Sequence, residues 1–79
     1  MPRYYFDVHD HQGEHRDEVG LEFPDMDAAI IEARRALADM TRESILTERS
    51  TDLTIHVRDG SEGPVDLIIS MTEEWPNGR

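Results

Sequence analysis

Phe23–Met40 reads FPDMDAAIIEARRALADM, and this stretch decides the fold. Pro24 stops any strand that precedes it, and Asp25 is suited to accept hydrogen bonds from the free amides of a helix beginning at Met26. Met26, Ile30, Ala33, Leu37 and Met40 recur at spacings of four and three, with Ala29 and Ala36 widening the stripe. Glu32, Arg35, Asp39 and Arg42 fall outside it. The pattern predicts an amphipathic helix with one face to a core and one to water. It fades near Ile45 or Leu46, where TERSTD brings in capping and turn-forming residues.

On the N-terminal side, Tyr4, Phe6 and Val8 alternate with Arg3, Tyr5, Asp7 and His9, the period of a half-buried strand. The polar run DHQGEHRDE then reads as a loop, and Val19, Leu21 and Phe23 alternate as a shorter second strand closing a hairpin. Beyond the helix, Leu53, Ile55 and Val57 mark a third strand. DGSEG supplies a turn, and Val65, Leu67, Ile69 and Met71 mark a fourth strand. Trp75 shares the parity of Met71 and is expected to cap the core, while residues 76–79 read as a frayed tail.

The expected fold is therefore α+β: a single domain over residues 1–79, ββαββ, in two layers. Hairpin pairing and a right-handed crossover give a four-stranded antiparallel sheet of order 2-1-3-4, with the helix on one face. A chain of 79 residues has room for one core, and it has no cysteine with which to reinforce it. Self-association, a homodimer, is the natural staple for so small a fold.

The formal net charge is -10, from 18 acidic residues against 8 basic ones, all of them arginine. Such a field repels nucleic-acid phosphates and anionic lipid, so neither is an expected partner, whereas a basic protein would be attracted. No apolar run approaches the ~20 residues a membrane span needs, and the N-terminus carries no apolar targeting stretch. A cytoplasmic location is expected.

One helix covers one side of a sheet, so the other side is the main candidate site. There the alternation places Tyr5, Asp7 and His9 beside His56 and Arg58, with Ile68 farther along. Tyr5 and Ile68 expose apolar area that a small domain gains by covering, which points to a protein partner or a second copy. The competing reading is an ordinary solvated sheet face. His9, His11 and His15 with Asp10 and Glu14 form the one group with metal-ligand chemistry, but its spacing matches no zinc pattern. No serine or histidine is arranged with a base and an orienting group, and the glycines at 60 and 63 lack the strand-to-helix context of a phosphate loop. The expectation is a non-enzymatic interaction module that needs no cofactor or metal. The runner-up is a small-ligand or metal-binding protein using Asp7, His9, His11 and His56.

MPRYYFDV, the acidic step Asp17, Glu18, Val19, Gly20, and Phe23, Pro24, Asp25 leading into an alanine-rich helix resemble a family of short bacterial proteins known only as a domain of unknown function. The resemblance covers nearly the whole chain and implies a fold without an activity. The histidines at 9, 11 and 15 do not belong to its pattern. A looser similarity, in the EFPD step into the helix, is to HicB-type antitoxins. That likeness implies neutralisation of a small basic ribonuclease, a task the acidic charge would suit.

Overall fold

The computed structural model describes residues 1–59 and 64–77. The elements in chain order are β1 (Arg3–Asp10), β2 (Gly13–His15), β3 (Leu21–Glu22), α1 (Met26–Thr47), β4 (Ser50–Arg58) and β5 (Val65–Thr72). All strand pairs are antiparallel, in the order β2-β1-β4-β5, with β3 also paired to β1. The α+β class, the antiparallel sheet and the single covering helix are as the sequence predicts.

The strand count differs, because the expected second strand shortens to β3, with Val19 outside it, and an additional strand, β2, shares the outer edge of β1. β2 lies inside the polar run read as a loop and pairs Val8 with His15, whereas β3 pairs Tyr4 with Leu21. Between them residues 16–20 bulge out of the ladder, and Gly20 turns the chain back with φ +72°. Polar residues form β2 because β1 supplies a ready edge of amides and carbonyls, which constrains pairing without requiring apolar side chains. The predicted turn glycines at 60 and 63 lie outside the described residues, as do positions 78 and 79 of the expected tail.

α1 starts where Asp25 caps it, the carboxylate accepting from the Ala28 amide at 2.9 Å. Met26, Ala29 and Ala33 are buried against Tyr4, Ile55 and Val57, with Ile30 and Leu37 half-buried beside them. The far end of the stripe is corrected: Met40 is 43% exposed and Thr41 is buried instead. Thr41 tolerates this because its hydroxyl donates to the Leu37 carbonyl at 2.7 Å. Phe23 packs edge-on against Phe6 and tilted against Tyr4, closing the core where the chain enters the helix.

The helix lies mainly over β4. Leu53, Ile55 and Val57 are consequently buried, whereas Val65, Leu67, Ile69 and Met71, of the same parity on β5, are only half-buried. Trp75 follows the end of β5, is 46% exposed and donates its indole N–H to Glu73, so it does not cap the core as expected. No described helix is long and apolar enough to cross a membrane.

Gly20 is the backbone position most sensitive to substitution. A Cβ there would stand 2.8 Å from the Tyr4 carbonyl oxygen and 2.9 Å from Arg3 Cγ and Tyr5 Cε1, in a φ region that alanine adopts only under strain. Gly20→Ala is expected to cost about 1–3 kcal/mol, lowering the thermal midpoint by at least about 5 °C in a circular-dichroism melt.

Candidate functional site

The register aligns the face opposite the helix in transverse rows. Tyr5 stands beside Arg58, Asp7 beside His56 and Asp66, and His9 beside Thr54 and Ile68. Five of the six residues expected to form a docking patch therefore lie at neighbouring register positions on one face, and Ile68 completes the set on β5. What the structure changes is their availability.

Asp7 is only 4% exposed, not displayed as expected. Its carboxylate receives Arg58 Nε at 2.8 Å and the Asp17 amide at 2.8 Å, and the Arg58 guanidinium stacks 4.6 Å from the centre of the Tyr5 ring. Arg58 also donates to the Asp17 carbonyl at 2.9 Å. The bulge of residues 16–20 thus lies across this end of the face and covers it.

Asp17 holds the bulge in place. Its side chain accepts from the amides of Phe6, Val19 and Gly20 at 3.1, 3.0 and 3.1 Å. Phe6 falls in the gap between Tyr4, partnered by β3, and Val8, partnered by β2, so the carboxylate does for the Phe6 amide what a strand carbonyl would do. Arg3 fastens the far side, donating to the carbonyls of Val19 and Gly20. Among the described residues no buried side-chain nitrogen or oxygen lacks a partner.

These contacts set the charges. The Arg58 guanidinium holds the Asp7 carboxyl below its usual range, against the opposing effect of burial, with the Asp17 amide assisting. Burial pushes the Asp17 carboxyl upward, but the amides of Gly20, Phe6 and Val19 together outweigh it and leave it lowered. Asp7 in turn raises Arg58. Ionisable groups displaced from their ordinary values often mark reactive sites. Here Asp7, Asp17 and Arg58 are spent on holding β1, β4 and the bulge together.

The remainder of the face is open. His56 engages Asp66 through Nδ1 across the β4–β5 pair, His9 is exposed, and Ile68 is 67% exposed. The runner-up ligand set is not assembled: Asp7 is committed to Arg58, and His11 lies beyond the end of β1, beside Glu48 and Asp52. Among the described residues no three histidine, aspartate or glutamate side chains stand where they could hold one metal ion.

A second feature went unread in the sequence. Along the flank of the helix, Ala38, Asp39, Thr41, Arg42, Ile45 and Leu46 form a largely apolar groove with Ile69 of β5. Ile45 and Leu46 are 39% and 71% exposed. No described strand pairs with the outer edge of β5. Its alternation is indistinguishable from that of β4, so only the lateral position of the helix reveals that this side is bare.

A family model described as a domain of unknown function, DUF6894, matches residues 3–71. The chain belongs to the DUF6894 family. No curated protein and no solved structure is significantly similar to it. None of these comparisons shows the likeness to HicB-type antitoxins. The acidic step before Gly20 that carried the family resemblance has a structural reason in this DUF6894 chain, since Asp17 is the staple and Gly20 the turn of the bulge.

The sign of the pH dependence follows from the lowered carboxylates. Both are held ionised in the folded state, so their contribution is fully present above the ordinary carboxylate value near 3.9 and is lost as pH falls through their lower folded values. Asp7→Asn, which leaves Arg58 without its charge partner, is expected to cost about 2–3 kcal/mol at neutral pH, between an exposed and a buried pair. Acid titration followed by far-ultraviolet circular dichroism should show the variant losing the steepest part of the wild-type acid transition.

Proposed function

We propose that this DUF6894 protein is a non-enzymatic interaction module that docks a protein chain along its β5 side, through the free strand edge and the groove of Ile45, Leu46 and Ile69. The observation that supports this reading is the contrast between two strands of identical pattern. Leu53, Ile55 and Val57 are at most 7% exposed, whereas their counterparts on β5 are half-buried and border an open groove. A sheet edge offers backbone hydrogen bonds and the groove offers apolar burial, the combination used when a strand is added to a sheet.

The interaction surface thereby moves from where the sequence placed it. Tyr5, Asp7 and Arg58 serve the fold, His9 and His56 remain on the open face, and Ile68 joins the docking side. A basic partner is the alternative occupant that the charge of -10 favours.

Affinity purification from the native host, with the tagged full chain as bait, tests the surface whatever its occupant, including an untagged copy of the same chain. Ser70→Pro removes an outward amide at the edge, and Leu46→Asp charges the groove. Each is expected to weaken recovery of a stoichiometric partner by at least 10-fold, about 1.4 kcal/mol, while His9→Ala and His56→Ala leave it intact. Loss with the histidine variants and retention with the β5-side variants would overturn the assignment.

A further inference from the structure

The chain is elongated and exposes much surface for its length. Its radius of gyration is 14.7 Å and its principal extents are 53 × 21 × 18 Å, against about 11.6 Å for the radius of a compact domain of this length. It exposes 5788 Å², about 900 Å² more than the roughly 4,900 Å² of a typical folded monomer of this mass. That surplus is close to the ~800 Å² that each partner buries in a standard stable interface.

Among the described residues no strand guards the edge itself. Natural edge strands are blunted by charges, prolines or bulges. β5 has neither proline nor bulge: eight successive residues, Val65 to Thr72, pair in unbroken register with Val57 to Ser50. Asp66 is its sole charged residue. The Glu73 amide donates to the Arg49 carbonyl, so odd-numbered residues of β5 direct their backbone groups to β4, and the amides and carbonyls of Asp66, Ile68 and Ser70 point outward.

Resting on the docking side proposed above, we infer that its occupant is a second copy of this chain, paired antiparallel through β5 about a two-fold axis at Ile68. Outward backbone groups meet outward ones only if even residues face even ones. Of the registers that satisfy this, centring on Ile68 places Asp66 opposite Ser70 of the second copy, so the single charge of the strand meets a neutral hydroxyl. It also sets Ile68 against its own copy, and Leu67 against Ile69 on the helix side. The result is one continuous sheet with both helices on the same face and the two grooves of Ile45, Leu46 and Ile69 opening toward each other across the seam. An isologous contact of this kind closes on itself and leaves no free β5 edge for further growth.

Sedimentation analysis of the full chain tests this, with circular-dichroism melts confirming that each variant folds. At roughly 100 µM, well above a micromolar dissociation constant, the wild type should sediment at twice its 9.1 kDa chain mass. Ile68→Lys and Ile68→Glu alter a side chain exposed in the single chain, and each alone should weaken the dimer at least 100-fold, because like charges then face each other. Mixing the two variants should restore a dimer. Added sodium chloride should strengthen the wild-type dimer, since it screens repulsion between two acidic chains, whereas it would weaken association with a basic partner.

A wild type that stays monomeric, or a mixture of charge variants that fails to reassociate, overturns the second copy as occupant at this register. A monomeric wild type that still captures a different protein in a Ser70-dependent and Leu46-dependent manner leaves the docking side standing. A dimer indifferent to Ser70→Pro and to both Ile68 variants overturns the two together.

Discussion

A helix is about 10 Å across and strands lie about 4.8 Å apart, so one helix roofs roughly two strands of a sheet. α1 is the single helix of the described chain, and the sheet below it is four strands wide along its main path. Placing the helix over β4, a strand paired on both sides, buries Leu53, Ile55 and Val57. The cost falls on β5. Its inward residues pack against their neighbours on β4 on one side and meet the helix flank only partly on the other, so the apolar surface of the fold ends in an open margin. The docking side proposed here would be a consequence of that width mismatch, not a separate device added to the fold.

The opposite margin is finished in a different way. There the outer edge of β1 is closed by β2, by β3 and, between them, by the carboxylate of Asp17. A side chain can replace a strand at one rung because an ionised carboxylate accepts several amide hydrogen bonds at once, each stronger than a neutral pair. The bulge that carries it then folds onto Asp7 and Arg58 and draws into the architecture the residues that most resembled a reactive cluster. Aspartate, histidine, arginine and tyrosine on one sheet face look like chemistry until their hydrogen bonds are counted. Asp7 and Arg58 prove to be engaged by each other and by Asp17.

Periodicity made most of the fold legible. The alternation of Tyr4, Phe6 and Val8, of Leu53, Ile55 and Val57 and of Val65, Leu67 and Ile69, with the stripe from Met26 to Leu37, identified the four main elements and the face each presents. Pattern failed where a neighbour decides. Gly13–His15 is polar and pairs because β1 is beside it, and Thr41 takes a buried place because its hydroxyl has a carbonyl one turn back. Asp7 was read onto the correct face, but its burial comes from residues ten positions away that contribute no periodic signal. The exposure of β5 was hidden for the opposite reason, since its signal equals that of β4 and lateral coverage leaves no trace in a single strand.

The acidity gains a physical role in this light. An apolar, uncharged, unbulged edge is the feature most prone to promiscuous pairing, and a small domain that keeps one must limit encounters by other means. A net charge of -10 does so at long range, because every copy repels every other until the strands are within reach of hydrogen bonding. At short range the balance reverses. β5 contributes only Asp66, which is already engaged by His56, and the groove beside it carries one charge of each sign, Asp39 and Arg42. Repulsion of this kind taxes loose, misregistered collisions in full, while a close-fitting pair offsets it with backbone hydrogen bonds and buried apolar area. In the proposed dimer strong charge and a bare edge are thus compatible, since the field would set how selectively the edge is used and the edge what is gained when it is filled.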